Sequence, residues 1–297
     1  MKRFLIGQYG GFNAQKQQRD FRDGFWGVEA CMFQSDEDAR LLAEEAERGG
    51  FSLGVHYPFR QRDRGFRRDA LFLSFDLHVR NAAIAQIEQE LAELSMIKPR
   101  YVLFHYPKPV ILDDRVNWEQ WRFADPSEFI SERTMSASAF QHRTEQLFRW
   151  LTEKGRHYQF TPVLEFDALN RYIYEDRFLE EMLTVYPSIR LCLDTGRLFM
   201  QELIDPYFQA VPVLQRYAKY SYLVHLWTVN RFDPIGSYHH PVLPSCDPDA
   251  GWAPIERFMR IIHEENPQVH VLFEHRSDRI TDRELDDCYA WCDSLLS

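Results

Sequence analysis

Residues 191–196 read Leu-Cys-Leu-Asp-Thr-Gly, a short apolar run that ends in a carboxylate. Three other apolar runs carry a polar residue at the same point: Val-Leu-Glu-Phe at 163–166, Tyr-Leu-Val-His at 222–225 and Val-Leu-Phe-Glu at 271–274. Four consecutive buried strands with polar ends predict that these ends meet on one side of a parallel sheet. In an α/β barrel that side is the carboxyl-terminal face, where the active sites of the fold lie.

Apolar runs alternate with helical patterns along the whole chain, which predicts a parallel sheet. The predicted strands are residues 4–7, 27–32, 52–56, 101–105, 160–166, 190–194, 222–227 and 269–274. The predicted helices are residues 36–49, 81–96, 139–154, 176–186, 198–217, 254–265 and 281–296. Eight strand–helix units match a (β/α)₈ TIM barrel. We therefore expect an α/β fold with a single barrel domain over residues 1–297, and long loops after strand four (107–138) and strand seven (228–251).

Bulk composition narrows the class of protein. The net charge of −10 argues against broad nucleic-acid binding, which depends on neutralising phosphates. The five cysteines are an odd number without C-x-x-C spacing, which indicates reduced thiols in a cytoplasmic protein. The apolar run at residues 4–7 is too short for a signal peptide, and we find no stretch of the roughly 20 apolar residues that a membrane span needs.

The four strand-end residues have the chemistry of metal ligands. They are Glu165, Asp194, His225 and Glu274. Carboxylate oxygens and an imidazole nitrogen suit Mn²⁺, Zn²⁺, Mg²⁺ or Co²⁺. We therefore predict one divalent metal ion and no organic cofactor. The alternative is a set of salt bridges in the barrel mouth.

Two more strand ends carry histidine. His56 and His105 each follow an apolar run, and each is followed by Tyr-Pro. Either histidine alone could be a strand-end residue bonded to a backbone carbonyl. Together, beside four other possible ligands, they favour a functional role at the barrel mouth.

These segments resemble the xylose-isomerase-like TIM-barrel superfamily, which includes endonuclease IV, the tagatose and psicose 3-epimerases and sugar phosphate isomerases or epimerases. The resemblance covers nearly the whole chain and is most specific at Leu164-Glu165, Cys192-Leu193-Asp194-Thr195-Gly196, Val224-His225-Leu226 and Phe273-Glu274. It implies that Glu165, Asp194, His225 and Glu274 bind the metal and that the two glutamates move the substrate proton. Proton transfer next to a carbonyl needs an acid, a base and an electrophile, which two carboxylates and a cation supply.

The chain departs from the family pattern at two positions. Arg197 stands where the family commonly has His after Asp-Thr-Gly, and Ser237 stands where endonucleases have Asp two residues before His239. A three-metal phosphodiesterase centre is therefore doubtful. Epimerases carry an arginine six residues after the strand-seven histidine, and Arg231 stands six after His225, which favours the sugar branch. The remaining candidates for a partial second metal site are His56, His105 and His239.

A basic run follows His56. It contains Arg60, Arg62, Arg64, Arg67 and Arg68. Arginine binds phosphate or carboxylate bidentately, so Arg67 and Arg68 are candidate contacts for an anionic group of the substrate. The alternative is a solvated loop that pairs with Asp63 and Asp69. Lys108 and Arg276 are further cations with reach to the mouth.

The substrate-binding candidates implied by these patterns are His56, His105, Arg67, Arg68, Arg197 and Arg231. For Arg197 we weigh contact with an anionic substituent against pairing with Glu202 or Asp205.

The predicted function is a divalent-metal-dependent isomerase or epimerase of a sugar, sugar phosphate or sugar acid. The predicted partner is a carbohydrate, and a homo-oligomer is compatible with the sequence. Two alternatives stay open: an endonuclease IV-like phosphodiesterase and a non-catalytic ligand-binding barrel.

Overall fold

The computed structural model of the chain describes residues 1–61 and 68–297. Eight parallel strands close into a barrel, which confirms the predicted fold class, and two further short strands form a separate sheet. The strands are β1 (Phe4–Tyr9), β2 (Gly27–Cys31), β3 (Ser52–His56), β4 (Tyr101–Tyr106), β5 (Val110–Leu112), β6 (Phe129–Ser131), β7 (Thr161–Phe166), β8 (Arg190–Asp194), β9 (Ser221–Leu226) and β10 (His270–Phe273). The order around the barrel is β1-β10-β9-β8-β7-β4-β3-β2, and β5 pairs with β6.

Helices follow most of the barrel strands. They are α1 (Ala14–Asp20), α2 (Asp36–Gly49), α3 (Leu77–Glu93), α4 (Ala137–Tyr158), α5 (Arg171–Tyr174), α6 (Phe178–Val185), α7 (Thr195–Ile204), α8 (Ala210–Tyr217), α9 (Ile255–Glu265) and α10 (Asp282–Leu295). None of the helices within residues 1–61 and 68–297 has the length and hydropathy that a membrane span requires.

Two helices show how local sequence sets their bounds. The Ser35 side chain accepts a hydrogen bond from the backbone of Asp38, and Gly50 ends α2 with a φ of 65°. Glycine adopts this left-handed conformation without a steric cost. Helix α10 begins with a capping box, because Thr281 and Glu284 each accept from the backbone of the other.

The described residues form two compact units. The first consists of Met1–Gly7, Asn13–Val28 and Leu191–Ser297, and the second of the described part of Gln8–Phe12 and Glu29–Arg190. The prediction of a single domain stays a prediction.

In the first unit, β8, β9, β10 and β1 lie side by side and parallel. Asp194 is level with His225, His225 with Leu272, and Leu272 with Leu5. The carboxyl ends of β8 and β9 are therefore aligned, and Glu274 follows two residues beyond Leu272.

In the second unit, β3, β4 and β7 are parallel neighbours. His56 is level with Leu103, and His105 is level with Glu165. All six residues of β4 are buried, as expected for a strand covered on both faces. The register therefore makes His105 and Glu165 direct neighbours at the carboxyl end of the sheet.

The structure corrects the prediction of one helix over residues 198–217. Two helices, α7 and α8, occupy this stretch, and Asp205 leaves α7 with an extended backbone (φ −103°, ψ 106°). Asp205 precedes Pro206, and the residue before a proline disfavours helical backbone.

Helix α1, the four-residue helix α5 and the β5–β6 sheet were not predicted. Helix α1 is almost entirely polar, without apolar periodicity, and begins where Asn13 accepts from the backbone of Lys16. The β5–β6 sheet lies within the long connection after β4, and each of its strands has only three residues. Such short segments carry too weak a pattern to be identified from sequence.

Candidate metal centre

Six of the seven predicted ligand positions lie at carboxyl ends of barrel strands, and His239 lies in the connection after β9. His56 ends β3, Asp194 ends β8, and Glu274 directly follows β10, while His105, Glu165 and His225 are the penultimate residues of β4, β7 and β9. The two units each contribute one group of possible ligands.

The second unit contains a histidine cluster, formed by His56, His105 and Glu165. The Nε2 atoms of both histidines lie 3.2 Å from the same Oε2 of Glu165. The two imidazole rings are 4.8 Å apart and nearly perpendicular. The three side chains are buried, with 6%, 3% and 0% exposure respectively. This geometry directs two ring nitrogens and a carboxylate toward a common point, as a metal site requires.

Hydrogen bonds at the opposite ring nitrogens orient both histidines. The Nδ1 atom of His56 lies 2.8 Å from the carbonyl oxygen of Tyr57, and that of His105 lies 2.6 Å from Oδ1 of Asp69. A carbonyl and a carboxylate oxygen accept, so each Nδ1 carries a proton. A neutral ring then has its lone pair on Nε2, the atom that faces Glu165.

Behind His105 lies a lysine network, formed by Lys108, Asp69, Asp167 and Glu128. The buried Lys108 Nζ contacts Asp69 at 2.6 Å, Asp167 at 2.7 Å and Glu128 at 3.5 Å. By distance, Asp69, His105 and Asp167 could also hold a metal. The ammonium group of Lys108 already supplies the positive charge between these carboxylates, so we assign this group to the lysine.

Contacts within the lysine network shift the pKa values of Asp69 and Lys108. Burial alone would raise the pKa of Asp69, but His105 and Lys108 hold it well below its usual value. Burial would likewise lower the pKa of Lys108, but the carboxylates of Asp167 and Asp69 raise it above its usual value. Asp69 and Lys108 are therefore buried ions, each stabilised by an opposite charge.

The first unit contains a carboxylate cluster, formed by Asp194, His225 and Glu274. Each offers one ligand atom, and these atoms lie within 4.8 Å of one another. His225 is fully buried, and its Nδ1 lies 3.3 Å from Oε2 of Glu274, which is 29% exposed. The cluster therefore combines a fixed imidazole with a glutamate that reaches the surface.

Local packing explains the Asp-Thr-Gly sequence at this cluster. Asp194 caps α7, because its Oδ1 accepts from the backbone of Arg197 at 2.9 Å. The Thr195 hydroxyl donates to the carbonyl of Trp227 at 2.7 Å. A Cβ at Gly196 would lie 2.3 Å from the Trp227 ring, so a larger residue cannot be placed there without moving the indole.

Arg197 pairs with a predicted metal ligand. Its Nε lies 3.3 Å from Oδ2 of Asp194, a partner that our prediction did not consider. Of the two partners that we predicted, Glu202 accepts from the backbone of Ala210, and Asp205 accepts from that of Tyr207. The cap places the guanidinium one helical turn from Asp194, which accounts for the pairing.

His239 lies beside Glu274. Its Nδ1 is 2.5 Å from the backbone oxygen of Glu274, and its ring stacks on the buried Trp227 at 4.3 Å. The predicted grouping of His239 with His56 and His105 stays a prediction, whereas Glu165 lies against both of these histidines.

The predicted arginines differ in their surroundings. Arg231 is exposed, and its guanidinium lies 5.9 Å from the centre of the Phe232 ring. Arg68 is also exposed, and Arg67 lies outside the described residues, as do Arg62 and Arg64. Their roles toward a substrate stay predictions.

Three charged side chains form ion pairs that differ from the contacts we predicted for them. Arg60 pairs with Asp36 at 2.6 Å, and Arg276 pairs with Asp278 at 2.6 Å. Asp69, which we had considered as a partner of the arginine run, binds His105 and Lys108. Sequence reasoning did not predict that Asp69 would contact His105 or that Asp167 would contact Lys108, and the available signal was the position of Asp167 directly after β7.

No protein-family model matches the chain, and no curated protein sequence matches it. Solved structures do. A D-tagatose 3-epimerase-like protein has a TM-score of 0.63 at 13% identity and covers 99% of this chain and 100% of its own. The 3-keto-D-glucoside 4-epimerase YcjR from E. coli has a TM-score of 0.60 at 14% identity, over 98% and 99% of the two chains. The IolI protein with a bound zinc atom has a TM-score of 0.63 at 11% identity, over 98% of each chain.

These likenesses show the fold. The chain shares the barrel fold of these structures, as its sequence predicted. Its structural neighbours include sugar epimerases, and some neighbours bind zinc.

Proposed function

We propose that the chain is a divalent-metal-dependent isomerase or epimerase of a sugar, sugar phosphate or sugar acid. The observation that carries this proposal is the carboxylate cluster at the ends of β8, β9 and β10. Its donors are two carboxylates and one imidazole, a set that fits Mn²⁺, Zn²⁺, Mg²⁺ or Co²⁺. The sugar epimerases among the structural neighbours support the same reaction class.

We propose Glu165 as the fourth ligand. It is a further candidate ligand by its chemistry, and its strand, β7, follows β8 in the barrel order. A metal held by Glu165, Asp194, His225 and Glu274 would polarise the substrate carbonyl and so acidify the neighbouring carbon.

In this proposal, Glu165 and Glu274 transfer the proton. One carboxylate removes it from the carbon next to the carbonyl, and the other returns a proton to the resulting enediolate. Glu165 is fully buried and directed by two imidazoles, so its position is fixed. Glu274 is 29% exposed, which leaves it a path for proton exchange with water.

An anionic substituent of the substrate would find cations in the predicted set. Arg67, Arg68 and Arg231 remain our proposed contacts for a phosphate or carboxylate, since arginine can bind either with two hydrogen bonds. Arg197 is the proposed contact nearest to a ligand, because it already lies against Asp194.

Metal analysis followed by deuterium exchange tests the proposal. The purified protein should contain a divalent ion, and with the correct ketose it should exchange the proton next to the carbonyl with deuterated water. Asp194→Asn should lose the metal and the exchange while keeping the helix cap, because Asn also caps helices well. A metal-free protein, or exchange that is equal in Asp194→Asn, would contradict the proposal. Ligand retention without exchange would indicate a binding barrel.

The histidine cluster favours a second candidate function, an endonuclease IV-like phosphodiesterase. His56, His105 and Glu165 supply three donors for an additional ion, and two adjacent ions are typical of phosphodiester hydrolysis. Two metal ions per chain and cleavage of bis(p-nitrophenyl) phosphate or abasic DNA would favour this candidate. Carbon-proton exchange without such cleavage would favour the isomerase.

A further inference from the structure

Asp69 is not itself a proposed contact of a substrate or metal. It contacts His105, which is one. One of its carboxylate oxygens lies 2.6 Å from Nδ1 of His105, and the other lies 2.6 Å from Nζ of Lys108. Both carboxylate oxygens are therefore used, one on each partner. Asp69 and Lys108 are both almost fully buried, so water competes little with these contacts.

We propose that Asp69 is a positioning residue that fixes the tautomer of His105. Held in place by Lys108, its carboxylate accepts the Nδ1 proton, and the Nε2 lone pair is thereby presented beside Glu165. Carboxylate partners of this kind orient histidine ligands and increase their basicity. The catalytic importance of this arrangement rests on the proposed function, whereas the ring tautomer does not.

His56 provides an internal comparison for this role. It reaches the same tautomer through the backbone carbonyl of Tyr57, a neutral acceptor that no side-chain substitution removes. His105 depends instead on a side chain 36 positions earlier in the chain. A change at Asp69 should therefore alter His105 and leave His56 unchanged.

The substitution Asp69→Asn makes a specific prediction, because an amide has only one oxygen. Lys108 can only donate, so it requires that oxygen, and the amide NH₂ is then turned toward His105. Nδ1 of His105 must accept from the NH₂ group, which moves the ring proton to Nε2. The Nε2 lone pair is lost, and with it the ability of His105 to bind a metal through that atom.

Nitrogen-15 NMR of histidine-labelled, metal-free protein at alkaline pH measures the tautomer directly. We expect the proton of His105 on Nδ1 in the wild type and on Nε2 in Asp69→Asn and Asp69→Ala. The proton of His56 should stay on Nδ1 in all three proteins. Asp113→Asn is the matched control, because Asp113 is also a buried carboxylate but binds Arg115. It should leave His105 unchanged.

An Nδ1 proton on His105 in both Asp69 variants, or an Nε2 proton in the wild type, would overturn the proposal. Zinc binding adds a second readout: Asp69→Asn should weaken one zinc site by roughly 10- to 100-fold, as is typical for loss of an outer-shell partner. If the wild type binds none of Mn²⁺, Zn²⁺, Mg²⁺ and Co²⁺, the proposed function fails, while the tautomer shift still decides the role of Asp69.

Discussion

Both ligand clusters combine imidazole and carboxylate groups, but they are supported in different ways. The histidine cluster is backed by buried ions, with Lys108 between Asp69 and Asp167. The carboxylate cluster is backed by the Trp227 indole, around which Thr195, Gly196 and His239 pack, and by the Arg197 guanidinium beside Asp194. Glu165 is fully buried, whereas Glu274 is 29% exposed.

Position at a strand end therefore does not determine how easily a candidate ligand changes its conformation. A residue held by buried charges is costly to move, because separation exposes uncompensated ions in a low-dielectric interior. A residue at the edge of an aromatic stack can change its conformation at lower cost. We therefore expect Glu165 to be the fixed member of the proposed acid/base pair and Glu274 the adaptable one.

The largest effect is expected at Lys108. Lys108→Met would leave three buried carboxylates without their shared cation, and removing one partner of a buried ion group typically costs roughly 3–5 kcal/mol. Urea unfolding measures the loss. Lys154→Met is the control, because Lys154 pairs with Glu88 at the surface and such pairs contribute about 1 kcal/mol or less. Equal losses of unfolding free energy in the two variants would show that the buried lysine network stabilises the protein no more than a surface ion pair does.

The second prediction concerns the two glutamates. Gln at position 165 or 274 should lower the rate of carbon-proton exchange by at least about 10²-fold, the usual contribution of a positioned acid or base. Glu264→Gln is a control, since this residue is exposed on α9. Exchange near the wild-type rate in both active-site variants would place the chemistry elsewhere.

The third prediction concerns pH and the first unit. His270, near Trp26 and Tyr222, has its pKa lowered to about 4, mainly by burial. The unfolded chain binds a proton near pH 6.5, while the folded protein does not until about pH 4, so stability falls as pH falls through this window. Between about pH 7 and pH 5 we expect His270 to account for a loss of about 2 kcal/mol.

Urea unfolding at these two pH values checks this prediction. His270→Gln should reduce the pH dependence, because the titrating group is gone. The same substitution at His142, which is exposed on α4, should leave it unchanged. Identical pH dependence in wild type and His270→Gln would contradict the prediction.

The smallest effect is expected at Arg197. Its guanidinium lies 3.3 Å from Oδ2 of Asp194 and would compete with a metal for this carboxylate. Arg197→Gln should therefore strengthen zinc binding a few-fold, a change of about 1 kcal/mol that fits a partly exposed ion pair. Isothermal titration measures it, with Arg260→Gln on the surface of α9 as the control. Unchanged or weaker zinc binding would show that Arg197 holds Asp194 in position instead of competing with the metal for its carboxylate.

The barrel could be predicted because its signals are local. Each strand is a short apolar run, and the predicted bounds of all eight lie within two residues of those in the structure. Helix α2 matches its prediction exactly, since Ser35 and Gly50 mark its two ends. The predicted ligand residues likewise lie at the ends of their strands, while their role as ligands stays a prediction.

The support of the ligands could not be predicted, because it depends on residues far apart in the chain. Asp69 lies 36 positions before His105, and Asp167 lies 59 after Lys108. Nothing in the apolar pattern distinguishes Asp69 from Asp63, a charged residue in the same connection. The Arg197–Asp194 pair was missed because we did not consider that a ligand would also be a helix cap.

As both a helix cap and a proposed metal ligand, Asp194 restricts which residues its position can accept. Strand β8 ends at Asp194 and α7 begins at the next residue, so no connecting residue separates the two elements. A helix cap accepts Asp, Asn, Ser or Thr, whereas a charged oxygen ligand requires Asp or Glu. Only aspartate belongs to both sets. Redesign of the proposed metal preference would therefore have to begin at Glu165, His225 or Glu274, which cap none of the described helices.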